Sequence, residues 1–171
     1  MNGTVPLPDT AKTLEEQTDD ILLACLLWGE ARGETPEAQY AVGCVVRNRV
    51  LAGRYGGNTW KGVILRPKQF SCFNPQDINR KKLLDPLEWD KPAVWERCYA
   101  VARSILDGEA LDTTKRSTHY HDKTLDLRPP FWAKVFKATV SIGDLRFFRD
   151  PKAFYDPEPP HDFPIALTGE S

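Results

Sequence analysis

The sequence predicts a mostly helical α+β domain with a small antiparallel β piece towards its C-terminal side. Two observations carry that expectation. Apolar residues recur at helical spacing through three long segments before residue 108. After Asp112 the pattern changes. Ser117–His121 and Trp132–Ile142 alternate or carry β-branched and aromatic residues, and Gly143-Asp144 separates two short strand-like runs, a hairpin signal.

Residues 1–14 read as a flexible arm, with Pro6 and Pro8 among small and polar neighbours and little that could pack. From Leu14 to Ala31 the pattern is helical. Glu15, Glu16, Asp19 and Asp20 load the early turns, where the helix dipole favours negative charge. Ile21, Leu22, Cys25 and Leu26 supply the apolar face, and Gly33 is a stop signal. Thr35-Pro36 opens a second helix as N-cap and first residue, and this helix runs to about Leu51. Gly53–Asn58 is a glycine loop. Thr59 then caps a short helix, Trp60–Leu65, which Pro67 ends. Residues 74–92 are polar and proline-containing and read as an irregular surface excursion. A third long helix, Lys91–Asp107, buries Val94, Cys98, Val101, Ala102 and Ile105, with Gly108 as its cap. Five prolines after Asp150 make residues 151–171 an extended or loose tail. The single domain expected from this pattern spans residues 15–150.

The composition limits function. At 171 residues the chain suits one domain with its own core. The 23 basic and 24 acidic residues nearly cancel, which discounts nucleic acid as a partner. The longest apolar run, Ile21–Trp28, is far short of the roughly 18 residues that cross a bilayer, so no membrane insertion is expected. The first twenty residues do not read as a signal peptide. Cys25, Cys44, Cys72 and Cys98 are irregularly spaced with no C-x-x-C, which gives no support for zinc. Three of them sit in apolar helical patterns, and buried free thiols are the favoured reading, with a disulfide left open.

Trp28-Gly-Glu-Ala-Arg-Gly-Glu34 is the segment with chemical interest. Glu30 lies at the end of a strongly apolar helix, just before a glycine break. Partial burial and the negative end of the helix dipole both favour its protonated form, the form a general acid needs. The competing reading makes Glu30 and Glu34 surface carboxylates paired with Arg32 or Arg47, and spacing alone favours it.

Five segments in order, GEARGETPEAQYAVGCVVRNRV, PKQFSCF, STHYH, PPFW and IGDLRFF, resemble the cell-wall hydrolase family of the spore-cortex-lytic (SleB) type. The likeness spans about residues 20–150. It implies a lysozyme-like fold related to lytic transglycosylases, and cleavage of peptidoglycan glycan strands between N-acetylmuramic acid and N-acetylglucosamine. The family's catalytic glutamate falls on Glu30. In such enzymes one glutamate acts as acid and then as base while the muramic 6-hydroxyl attacks, so no second carboxylate is required. A true hydrolase would use water, with Glu34 or Asp144 to position it.

The other segments carry expectations of the same kind. Gln69 and Ser71 are candidates for hydrogen bonds to sugar hydroxyl or acetamido groups, against a reading in which Gln69 ties a loop and Phe70 is core. Thr118, His119 and Tyr120 match a strand expected to form the cleft wall. His119 and His121 point the same way on a strand, but no third ligand is indicated and no metal or other cofactor is expected. His121 stands where the family often has Asn. Trp132 is either a stacking platform for a pyranose or a buried core residue. Arg146 either orients a carboxylate or lies on the exposed face of a strand, and Arg47 and Asn48 are expected to support Glu30. A monomer is expected. With no export signal or wall-binding repeat read in it, the chain resembles a phage or prophage lysis protein, or a virion enzyme that penetrates the wall, with holin-dependent release as one route. A non-catalytic glycan-binding or virion structural protein on the same fold is the alternative from another class.

Overall fold

A helix that is apolar on every side has to be enclosed on every side. In the computed structural model, which describes residues 4–154, that helix is α1, Asp19–Ala31. All its residues from Ile21 to Trp28 are buried. Around it pack α2 (Pro36–Ala52), α3 (Trp60–Ile64) and α4 (Pro92–Leu106), with the 3-10 turns Ser71–Phe73 and Arg80–Leu84. Each fully buried leucine along it, such as Leu22 or Leu26, contributes about 1.5–3 kcal/mol relative to exposure. A side chain at the C-terminal end of α1 therefore stands on a rigid support.

The helix expected to run unbroken from Leu14 is interrupted. Leu14–Glu16 form a 3-10 turn, and α1 starts only at Asp19. The buried side chain of Gln17 occupies the break. Its Nε2 donates to Asp9 O at 2.8 Å, and its Oε1 accepts from Asp9 N at 3.0 Å. The same bonds hold the preceding residues. Where composition predicts a loose arm, the described residues 4–14 lie against the domain. Trp95 Nε1 donates to Pro6 O at 2.8 Å, and Pro8 and Leu14 are buried. Local composition gives no sign of these partners, which lie far along the chain.

The caps behave as their residue types predict. Ala38 N donates to Thr35 Oγ1 at 3.3 Å, and Gly62 N donates to Thr59 Oγ1 at 3.1 Å. α2 ends at Gly53, whose φ of +69° is the left-handed conformation that glycine tolerates best. Residues 74–92 are irregular, yet they are more than a surface excursion. Leu83 is fully buried against α1, and Cys25 Sγ donates to its carbonyl at 3.3 Å.

The sheet has three antiparallel strands in the order β1-β3-β2: β1 His119–Asp122, β2 Lys137–Ile142 and β3 Leu145–Arg149. The Gly143-Asp144 hairpin joins β2 to β3, and β1 pairs with the other edge of β3, with Tyr120 opposite Phe147. The strand expected from Trp132 starts at Lys137 instead. Pro130 leads into a 3-10 turn, Phe131–Lys134, that lays Trp132 against the sheet. All four cysteines are buried free thiols. Among the described residues, no helix is long and apolar enough to cross a membrane. Ala153 is buried, and the rest of the expected tail, from residue 155, lies outside the described residues.

Candidate active site

Glu30 is the penultimate residue of α1, and its half-buried carboxyl group opens into a cleft of about 630 Å³. Gln69, Ser71, His119, Tyr120 and Trp132, all expected to contact sugar, line the same cleft. Residues more than ninety positions apart thus meet at the end of the central helix.

The carboxyl group of Glu30 is held by donors from one 3-10 turn. Ser71 Oγ and Cys72 N each donate to its Oε1 at 3.3 Å. The 3-10 turn that presents them is pinned by the buried Phe70 and Phe73. From β1, Tyr120 lines the same cleft, and burial, then the Glu30 carboxylate, pushes its phenol well above its ordinary pKa. Burial, then the Glu30 charge, raises the pKa of the Cys72 thiol and keeps it protonated. Arg32 turns away. It pairs with Asp90 at 3.1 Å and stacks over Trp28 at 4.2 Å, so the surface-pair reading of Glu30 with Arg32 fails.

Gly29 makes the approach of Cys72 feasible. A Cβ there would lie 2.7 Å from Cys72 Sγ and 3.1 Å from Leu83 Cδ2. Gly29→Ala must therefore push the 71–73 turn away from Glu30. We expect it to destabilise the fold by about 1–3 kcal/mol and to lower activity in parallel. Chemical denaturation beside a cleavage assay checks both.

Sequence reasoning missed Arg49. It is only 5% exposed yet lines the cleft. Its Nε donates to Thr118 O at 2.6 Å and its Nη1 to Gln69 Oε1 at 3.3 Å. The guanidinium lies over Phe70 at 5.0 Å and over Tyr55 at 5.6 Å. One buried cation thus joins the two walls of the cleft. The available signal was a charged residue on the apolar stripe Val42, Val45, Val46, Arg49 of α2.

His119 packs between Tyr55, Trp132 and Phe136, with ring centroids 4.8–5.5 Å away. Burial, reinforced by the Arg49 charge, pushes its pKa down to about 4 from an ordinary 6.5. It stays neutral at neutral pH. The unfolded chain takes up this proton near 6.5 and the folded one only near 4, so stability falls as pH drops through that window. The loss is about 1–2 kcal/mol after discounting for partial exposure to the cleft. His119→Gln is expected to flatten this part of the stability curve, measured as the urea midpoint against pH. His121, on the same side of β1, stacks on Phe148 at 5.2 Å, and the Trp132 ring packs against both histidines. Among the described residues, no group of three or more His, Cys, Asp or Glu is placed to hold a metal ion.

Several expected site residues serve elsewhere. The Thr118 side chain is fully buried, and its Oγ1 binds His119 Nδ1 at 2.9 Å and accepts from Asp150 N at 3.0 Å. It orients the histidine and cannot reach sugar. Arg47 donates to Ala110 O at 2.7 Å, so it pairs with neither Glu30 nor Glu34. Asn48 donates to Ser117 O at 2.9 Å and Asp112 Oδ2 at 3.0 Å. Both brace the 110–117 segment that leads into β1, not Glu30 directly. Glu34 lies at the hairpin tip beside Gly143, outside the cleft lining. Its pKa is raised by burial, then by Asp144 and Asp122. Asp144 itself pairs with Lys123 at 2.7 Å. Arg146 pairs with Asp126 at 3.4 Å.

A protein family described as Cell Wall Hydrolase matches residues 33–148 of the chain. That span covers every lining residue of the cleft except Glu30, which precedes it by three positions. A spore cortex-lytic enzyme of Oceanobacillus iheyensis is 37% identical over 82 residues, 43% of this chain and 29% of that protein. One from Bacillus cereus is 35% identical over 82 residues, 43% of this chain and 31% of its own length. The chain thus spans under a third of the curated relatives it matches. Among solved structures, the catalytic domain of the germination-specific lytic transglycosylase SleB from Bacillus anthracis superposes with a TM-score of 0.59 at 24% identity, over 78% of this chain and 96% of that one. The SleB catalytic domain of Bacillus cereus gives 0.59 at 23% identity, over 87% and 100%. These likenesses establish the fold as that of SleB catalytic domains.

Proposed function

The chain belongs to the cell wall hydrolase family, and on that premise we propose that it cleaves peptidoglycan glycan strands between N-acetylmuramic acid and N-acetylglucosamine, with Glu30 as the single acid and base. The observation that carries the proposal is the hydrogen-bonded seating of Glu30 in an open cleft by Ser71 Oγ and Cys72 N.

The chemistry follows from what the cleft contains. Among the described residues that line it, Glu30 is the sole carboxylate. In the proposed reaction, protonated Glu30 donates to the glycosidic oxygen as the C1–O bond breaks. The muramic 6-hydroxyl oxygen attacks C1, and the Glu30 carboxylate takes its proton. The products are a 1,6-anhydro end and a free 4-hydroxyl, and Glu30 is again protonated. The donors from Ser71 and Cys72 stabilise the carboxylate formed midway, when its negative charge is greatest. Neutral His119 supplies no competing proton. Gln69, Ser71 and Trp132 are the proposed sugar contacts, the first two by hydrogen bonds and the tryptophan by stacking.

Use in phage or prophage lysis or wall penetration is part of the same proposal. Incubation with purified sacculi tests the activity. The expected result is soluble glycan fragments released by the wild-type protein. Binding to sacculi without any release, by folded protein, would favour a glycan-binding module instead.

A further inference from the structure

The segment 125–135, which lines part of the cleft, carries an exposed apolar ridge. Leu127 is 96% exposed, Phe131 80% and Val135 59%. Large apolar side chains this bare, gathered within nine residues, mark a contact surface. The ridge continues the cleft: Leu125, Pro130 and Trp132 line the cleft, and Phe131 lies between the last two in sequence. Pro129 and Pro130 stiffen the approach, and the 3-10 turn Phe131–Lys134 fixes the residues that follow. Arg128, Lys134 and Lys137, all exposed, flank the apolar residues.

We propose that this ridge is a second binding surface for the polymeric wall, engaging the strand beyond the bond that is cut. The inference rests on the proposed activity. Phe131 offers an aromatic face to the C–H face of a distal sugar. Arg128, Lys134 and Lys137 face the carboxylates of the stem peptides, which recur along the strand on each muramic residue. The ridge thus acts on long strands and insoluble wall, while a short fragment is held by the cleft alone.

The test separates the two surfaces. Leu127→Ala combined with Phe131→Ala leaves every cleft-lining side chain in place. Cleavage of a soluble muropeptide tetrasaccharide is expected to keep the wild-type rate, while release from sacculi falls about tenfold. In a Glu30→Gln background, which needs no catalysis, the same pair of substitutions should weaken co-sedimentation with sacculi about tenfold. Equal sedimentation with and without the ridge, or an equal fall on tetrasaccharide and sacculi, would overturn the proposal. So would ridge-dependent binding to phosphatidylglycerol vesicles without binding to sacculi, which would assign the surface to a membrane. If the wild-type protein cleaves nothing while ridge-dependent sedimentation persists, the catalytic reading falls and the binding surface stands.

Discussion

Glu30→Gln is expected to lower glycan cleavage by about a thousandfold while leaving the fold intact. Glutamine keeps the shape of the side chain, and its amide oxygen still accepts from Ser71 Oγ and Cys72 N, so the melting temperature should scarcely move. The transferable proton is what is lost, and among the described lining residues no other carboxyl group can supply it. Glu34→Gln and Asp144→Asn form the control. Both carboxylates lie at the hairpin tip, outside the cleft lining, and each substitution should change the rate less than about threefold, because neither touches the reacting atoms. Fragment release measured across the three variants checks the assignment. Equal damage from Glu34→Gln would move the acid away from the end of α1.

Arg49→Met is expected to have the next largest effect, and one that falls more on activity than on stability. Its removal leaves Thr118 O and Gln69 Oε1 without their donor. A buried acceptor left unpaired costs about 1–3 kcal/mol. Relief from desolvating a guanidinium offsets part of that loss, so a net destabilisation of about 1–3 kcal/mol is expected. The catalytic consequence is geometric. Gln69 on one wall and the start of β1 on the other lose their common tie, and misplacement of this kind lowers kcat by about a hundredfold. Arg49→Lys retains the charge but lacks the planar fork that spans both acceptors, so it should recover only part of kcat. Steady-state kinetics on a soluble fragment separate kcat from KM. Full activity in Arg49→Met would show that the tie is dispensable.

The helical frame was legible because its signals are local. Thr35-Pro36, Thr59, Gly53 and Gly108 mark helix ends by backbone chemistry that needs no distant partner, and Gly143-Asp144 marks the hairpin in the same way. What the sequence concealed depends on contacts across the chain. The seat of Pro6 under Trp95 and the burial of Leu83 against α1 are of this kind. At the site, Glu30 stood out through its motif and its place at a helix end. Arg49 was passed over beside Arg47 and Asn48, although its spacing from Val42, Val45 and Val46 puts it on the buried stripe of α2. Thr118 was assigned to sugar because it neighbours His119 and Tyr120, but its side chain is buried and bonded to His119 Nδ1 and Asp150 N.

The most direct test of a lone carboxylate acting with the substrate's own hydroxyl is the chemistry of the new ends. Mass spectrometry of muropeptides released from sacculi by the wild-type protein should show 1,6-anhydro ends, and none from Glu30→Gln. Reducing ends, heavier by about 18 Da for one added water, would contradict the account and require a second group to activate that water.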